Sequence, residues 1–321
     1  AGAVLAAAIG RSRTQLAVCD LDGTVLASVD RDQEIGLGPD VLLPLVVEWF
    51  RELLAEADLV AGDVWAIGLS LPGTVDTARG VSVDSPVMTG WDGVDLVPYF
   101  AGLTGSPLFV DNDANVLALS EVDGHLLRFR DALVVKASTG FGLGVVADGR
   151  VIRGHLGAAG EVGHVKVEAA RDLPCRCGDT GCLEAVGAGW AVVQRYNQAV
   201  EGRSLPHVRD LVGLALRGDP EARGLLRASG RRLGEALAGA VNVLNPEAII
   251  IGGDMGAAFD VFAAGLRETL YPRASALATS ALQVLPSTHG DRAGVVGCAA
   301  LALDRMLSPS AVDARLLAAG R

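Results

Sequence analysis

The chain has 321 residues, 50% of them hydrophobic, and a formal net charge of −11. That length suits two domains of ordinary size, each with a substantial core. The acidic balance repels a phosphate backbone, so these residues are not expected to grip nucleic acid themselves, and no apolar run reaches membrane-spanning length without a glycine or a charge interrupting it.

In chain order, Val4 to Ile9, Thr14 to Cys19 and Val25 to Val29 read as strands of an antiparallel meander. Their turns are Gly10-Arg-Ser-Arg13 and Asp20-Leu-Asp-Gly23. Pro39 to Ala55 carries Val41, Leu42, Leu45, Val46, Phe50 and Leu53 at helical spacing. Pro44 fits that helix only if it falls in the first turn. Trp65 to Leu71 is a buried strand closed by Pro72-Gly73, and Val94 to Leu103 a short helix interrupted by Pro98 and Gly102. Leu108 to Val110 is a strand running into Asp111-Asn112-Asp113, before a helix over Ala114 to Glu121.

A second block repeats this style. Asp131 to Ala137 is a strand, Ser138-Thr-Gly-Phe-Gly-Leu-Gly144 a glycine-rich turn, and Val145 to Ala147 and Arg150 to Arg153 a hairpin across Asp148-Gly149. Pro206 to Leu216 and Pro220 to Leu244 show helical periodicity, ended by Asn245-Pro246. Ala248 to Ile251 is a strand feeding Gly252-Gly253, and Val295 to Met306 a final helix with a tail to Leu317. The recurrence suggests two similar α/β lobes around a cleft. Residues 1–111 form the first lobe, with a C-terminal helix over 304–321 as a candidate to complete it; residues 112–303 form the second.

Three of the five cysteines fall within Cys175-Arg-Cys177-Gly-Asp-Thr-Gly-Cys182, and His164 lies just upstream. Three thiolates and one imidazole suit a closed, tetrahedral structural zinc site. Gly178 and Gly181 let the backbone turn so that the sulfurs converge. Disulfides or free thiols are the competing reading. The odd cysteine total, the lack of a secretory signal in these residues and the single residue between Cys175 and Cys177 weigh against it. Glu161 and Glu184 bracket the cluster, which makes it a support for a polar pocket as well as a staple.

Asp113 sits where a strand meets a helix. It reads either as an N-cap or as a general base at the carboxyl end of an α/β strand, beside an Asn112 that can fix a hydroxyl. The turn after Ser138 offers backbone N–H groups to a phosphate or, equally, glycines for tight sheet packing; Gly252-Gly253 is a similar signal. Asp20-Leu-Asp22-Gly-Thr24 looks like a phosphatase nucleophile motif. The only lysines, Lys136 and Lys166, read as mid-strand residues and no acidic pair follows, so a hairpin turn is the better reading. His125, His155, His207 and His289 are isolated and carry no assignment; His207 reads as a solvated loop residue.

Taken together, Leu71-Pro-Gly-Thr-Val75, Gly90-Trp91, Asn112-Asp-Ala-Asn115, Thr139-Gly-Phe-Gly-Leu-Gly144, Ala159-Gly160-Glu-Val-Gly-His164, the Cys175–Cys182 cluster with Glu184, Asn245-Pro246 and Ile251-Gly-Gly253 resemble the ROK family of bacterial repressors and sugar kinases over nearly the whole chain. The resemblance implies an α/β, actin-like ATPase fold of two ribonuclease-H-like lobes, cytoplasmic and assembled as homodimers or homotetramers. It implies structural zinc on His164, Cys175, Cys177 and Cys182, and a sugar contacted by Asn112, Asp113, Glu161, His164 and Glu184. It marks Thr139, Gly140, Gly142, Gly252 and Gly253 as phosphate-loop-like. In the family's kinases the residue matching Asp113 is the general base that readies a sugar hydroxyl for the γ-phosphate of ATP, with magnesium.

The chain departs from the kinase pattern at its start. Family kinases open with Asp-x-Gly-Gly-Thr; here the matching stretch is Ala8-Ile-Gly10-Arg-Ser12. Ala8 cannot hold a metal, and Arg11 places a bulky side chain where backbone must approach. The second loop begins with Ser138 in place of the usual glycine. The leading expectation is the sugar-binding effector domain of a ROK transcriptional regulator, a fragment whose winged-helix DNA-binding region precedes these residues. The alternative is an ATP-dependent sugar kinase of the hexokinase or glucokinase type. A zinc-stapled relic that binds nothing is the third option.

Overall fold

The continuous apolar run Ala3–Ile9 forms β1, a strand with neighbours on both sides, as a stretch buried on both faces requires. The structure, a computed structural model, describes residues 2–34, 36–84, 88–309, 311–313 and 317. The chain divides into two compact units, residues 1–122 with 292–321, and residues 123–291.

In the first unit β1 pairs antiparallel with β2 (Arg13–Asp20), which pairs antiparallel with β3 (Val25–Asp32). Helix α1 (Pro39–Glu56) buries Leu42, Leu43, Val46, Phe50 and Leu53 on one stripe. Pro44 lies beyond its first turn, against expectation. Both Pro44 and Asp40, whose carbonyl loses its helical donor, are exposed, so water can satisfy that carbonyl. Strand β4 (Val64–Leu71) runs parallel to β1. A small sheet follows, β5 (Thr74–Asp76), β6 (Val81–Asp84) and β7 (Val94–Asp95), with the one-turn α2 (Val97–Phe100) after it. The helix expected over Val94 to Leu103 is thus a strand residue pair, Val94–Asp95, and a single turn, Val97–Phe100. β8 (Leu108–Asn112) runs parallel to β4, and α3 (Asp113–Ser120) follows directly.

In the second unit β9 (Ala132–Ala137), β10 (Phe141–Ala147) and β11 (Arg150–Ile152) form an antiparallel meander. The glycine-rich segment is a turn only as far as Gly140. Phe141, Gly142 and Gly144 already belong to β10, with Gly142 opposite Lys136. Helices α4 (Glu184–Gly187), α5 (Gly189–Ala199), α6 (Val208–Leu216) and α7 (Pro220–Leu244) come next. β12 (Ala248–Gly252) joins β9 in parallel; α8 (Phe259–Arg273) and α9 (Ala276–Thr279) lead to β13 (Gln283–Pro286), parallel to β12. The chain returns to the first unit in α10 (Ala293–Met306).

The sheets have one strand order: β3-β2-β1-β4-β8 in the first unit, β11-β10-β9-β12-β13 in the second. Each is an antiparallel meander extended by two parallel strands. Fully buried Phe50 and Trp91 anchor one core, Tyr196 and Phe262 the other. Each such side chain contributes about 1.5–3 kcal/mol by leaving water. The unit boundaries fall at 122 and 291, where sequence reasoning set them at 111 and 303. Helix α3 packs along α10 so closely that a Cβ on Gly297 would lie 2.0 Å from the Val116 carbonyl oxygen, and both helices belong to the first unit. Residues 310, 314–316 and 318–321 of the expected C-terminal helix lie outside the described residues. No helix among the described residues is long and apolar enough to cross a membrane.

Candidate functional site

The residues between β11 and α4 fold as a knuckle. Val162–His164 is a single tight turn, and Cys175 N–H donates to Asp179 O at 2.7 Å while Gly178 N–H donates back to Cys175 O. Gly178 and Gly181 take the left-handed conformation, at φ +91° and +82°. His164, Cys175, Cys177 and Cys182 then present ligand atoms all within 4.8 Å of one another. Cys177 and Cys182 sulfurs are 3.8 Å apart, and Cys175 Sγ lies 3.9 Å from His164 Nδ1. Ligands about 2.3 Å from a tetrahedral centre are themselves about 3.8 Å apart, so the donor set fits one metal ion. None of the five cysteines is paired in a disulfide.

Burial pushes the Cys175 thiol up to about 12, and burial likewise raises Cys182. Without a metal these sulfurs keep their protons; loading releases them. Lys166, a mid-strand residue by sequence, makes only an isolated bridge to Cys182. Its Nζ donates to Cys182 Sγ at 3.3 Å, to Thr180 O and to Asp179. A cation beside a thiolate-rich cluster offsets negative charge, and its place two residues after His164 was the available signal.

Glu184 opens α4 and is buried. Its Oε1 accepts the Phe141 N–H at 2.8 Å, and its Oε2 accepts from the Trp190 indole at 3.4 Å. Gly140 and Gly163 leave room for it: a Cβ on either would lie 2.5 Å or 2.9 Å from Oε1. The carboxylate therefore touches the glycine-rich turn and the residue before His164 together. Glu161 is exposed at the start of the His164 turn.

The glycine-rich turn and Gly252-Gly253 do meet. Ser138 Oγ accepts the Asp254 N–H at 3.0 Å, and a Cβ on Gly253 would lie 2.5 Å from that oxygen. Ser138 O accepts from Gly189 N–H and Thr139 O from Trp190 N–H. Of the phosphate-loop-like residues, Thr139, Gly140 and Gly253 lie at this contact, while Gly142 and Gly252 both sit opposite Lys136, in the β9–β10 and β9–β12 ladders. His207, expected in solvent, caps α6. Its Nδ1 accepts the Arg209 N–H, and its Nε2 lies 3.1 Å from Thr139 Oγ1. An accepting Nδ1 puts the proton of the neutral ring on Nε2, which donates to Thr139.

In the first unit the capping role left open for Asp113 falls to Asn112. Its Oδ1 accepts the Ala114 N–H and its Nδ2 donates to Gly73 O, both at 2.8 Å. Asp113 is the first residue of α3, half-buried. Beneath them the buried Asp111 accepts from Asn112 N–H and Asn115 Nδ2, a support that sequence reasoning did not single out. Asp20, as expected, serves a hairpin turn: its Oδ1 accepts from the N–H groups of Asp22 and Thr24.

Two sheets of identical strand order, a glycine-lined turn and a His/Cys knuckle define an α/β protein of the actin-like, sugar-kinase type. The chain belongs to the ROK family, which it matches over residues 4–305. It is 27% identical over 319 residues to the xylose repressor of Caldicellulosiruptor bescii, across 96% of this chain and 79% of the repressor. It is 29% identical over 313 residues to the glucokinase of Thermotoga maritima, across 93% of this chain and 96% of the enzyme. Its fold is similar to that of a ROK family glucokinase from Streptomyces griseus in complex with glucose and AMPPNP, with a TM-score of 0.77, 27% identity and coverage of 94% and 99%. The relatives include both repressors and glucokinases.

Proposed function

We propose that this chain is the sugar-binding effector portion of a ROK transcriptional regulator. Ala8 carries the reading. It stands near the end of β1, where the family's kinases hold a carboxylate, and its methyl is packed so that a Cβ on Gly294 would lie 2.8 Å from it. An alanine there neither coordinates magnesium nor orients a phosphate. Ser138 supports the same reading, because its hydroxyl takes the Asp254 N–H that a phosphate oxygen would otherwise accept from.

The sugar contacts in this proposal are Asn112, Asp113, Glu161, His164 and Glu184. Carboxylates and amides suit a polyol because each hydroxyl both donates and accepts. His164, Cys175, Cys177 and Cys182 would hold zinc, the ion that three thiolates and one imidazole suit, and it would act structurally by keeping the knuckle closed. With Nδ1 toward the sulfurs, His164 keeps an Nε2–H to donate to a sugar hydroxyl. DNA contact would come from a segment beyond these residues, and the assembly would be a cytoplasmic homodimer or homotetramer.

A thermal-shift panel of D-glucose, D-xylose and N-acetyl-D-mannosamine tests the reading, since a ligand that binds only the folded state raises Tm. A stabilising sugar with no ATP turnover is expected; the absence of any shift would overturn it. The second reading, an ATP-dependent sugar kinase, is favoured by Asp113, which is retained at the first position of α3 while Asn112 does the capping. A coupled assay with ATP, magnesium and the same sugars decides, and turnover abolished by Asp113→Asn would establish the kinase.

A further inference from the structure

Trp190 touches three separate functional elements of the second unit. Its backbone N–H donates to Thr139 O at 3.1 Å, in the glycine-rich turn. Its indole N–H donates to Glu184 Oε2 at 3.4 Å. Its ring carries the guanidinium of Arg176, whose Cζ lies 4.7 Å from the ring centroid. Arg176 stands between Cys175 and Cys177, so its backbone is part of the metal knuckle. No sequence motif marks Trp190, and no metal or sugar role was assigned to Arg176.

We infer that Trp190 is a positioning residue that ties the metal knuckle, through Arg176, to the carboxylate of Glu184 and to the Thr139 turn. Glu184 has one firm anchor, the Phe141 N–H on Oε1 at 2.8 Å. The indole is the second, and it sets the plane in which Oε2 meets a ligand. At 3.4 Å this bond is longer than an ordinary N–H···O contact and correspondingly weak, so the indole steers Oε2 rather than clamping it. The stacked guanidinium restrains that ring by a cation–π contact of ordinary length. Closing the knuckle around a metal fixes Arg176, Arg176 fixes the indole, and the indole fixes Oε2. Support of this kind behind a ligand-binding group is what holds its geometry. The inference rests on the sugar-binding reading for its consequence, while the positioning itself is independent of it.

The test uses the zinc-loaded protein and three variants. Trp190→Phe keeps a ring and removes the donor. Arg176→Met keeps an apolar stem and removes the cation; Arg176→Lys returns a cation to the ring. Metal content is read by atomic absorption, affinity by calorimetric titration with D-glucose and D-xylose, and order by hydrogen exchange at the Phe141 amide. Trp190→Phe is expected to keep one zinc per chain while weakening the bound sugar about threefold, the worth of one long hydrogen bond. The Phe141 amide should exchange faster by a similar factor. Arg176→Met should weaken binding about threefold, and Arg176→Lys should restore most of it. Unchanged Phe141 exchange in Trp190→Phe overturns the inference whether or not sugar binds. A wild type that binds neither sugar, with Phe141 exchange accelerated in the variant, would instead count against the sugar reading and leave the positioning role standing.

Discussion

Ser138 Oγ accepts the backbone N–H of Asp254 at 3.0 Å and so fastens the β9–β10 turn to the end of β12. The contact needs Gly253, which has φ +82° and whose Cβ, if it had one, would lie 2.5 Å from Ser138 Oγ and 2.8 Å from Ala137 O. Gly253→Ala is therefore expected to cost about 2–4 kcal/mol, from backbone strain and the clash together. Ser138→Ala should cost about 1 kcal/mol, one hydrogen bond. In the double variant Ser138→Gly/Gly253→Ala only part of the loss should return, because the Ala137 carbonyl and the positive φ remain. Urea denaturation measures all three; full recovery in the double variant would mean that Ser138 alone set the need for glycine.

Metal removal should act on the knuckle first. The cluster residues lie in a segment held by short turns and by isolated bridges at Lys166–Cys182 and Pro174–Thr180, with little regular structure to keep it folded without a metal. Chelation is expected to lower Tm and to speed proteolysis between residues 165 and 182 before the rest of the chain. Cys177→Ser should do the same and lose the metal. Cobalt substitution gives a direct readout, since thiolate-to-metal bands must appear at one equivalent and must weaken in Cys177→Ser. Chelated protein with unchanged Tm and unchanged cleavage would refute a structural metal.

The parts of the fold that were legible in the sequence were those with local signals. The meander of β1 to β3 followed from apolar runs and turn residues, and the convergence of His164 with the three cysteines followed from spacing and two glycines. What escaped depended on distant partners. β13 and the β5–β7 sheet are short strands that gain meaning only from their neighbours. Helix α8 carries Pro272 near its end and a weak apolar stripe, which blurred its period. His207 looked like a loop residue because one of its partners, Thr139 Oγ1, lies 68 residues away. Trp190 gave no motif and Lys166 only its place two residues after His164, for what matters about them is contact with Glu184 and Cys182, and that appears only in three dimensions.

Asn112 and Asp113 separate by mutation because only one caps α3. Asn112→Ala removes the acceptor for Ala114 N–H and the donor to Gly73 O, so a loss of about 1–2 kcal/mol is expected. Asn112→Asp keeps the cap but loses the donor and sets a carboxylate oxygen against the Gly73 carbonyl, so it should recover only part of the loss. Asp113→Asn leaves that cap in place and should instead weaken sugar binding, by about tenfold for one charge-assisted hydrogen bond. Denaturation and calorimetry on the same preparations separate the effects. If Asp113→Asn destabilised as much as Asn112→Ala while binding sugar normally, the division of labour would be wrong.

Glu268 on α8 is held by Arg227 and Arg231 from α7. Donation from Arg227 and then Arg231 keeps its carboxyl below the ordinary value. A folded-state value depressed in this way contributes stability above the unfolded carboxyl's value of about 4.3 and loses it as pH falls through the lower folded value. Glu268→Gln should therefore lower Tm by a small, constant amount from pH 6 to 8. The gap should begin to shrink below about pH 4.3, where the unfolded glutamate starts to take up its proton, and close in stronger acid. Added salt should narrow it at neutral pH, because the ions are exposed. A gap that persisted in acid would show that the glutamate acts through packing between α7 and α8 and not through its charge.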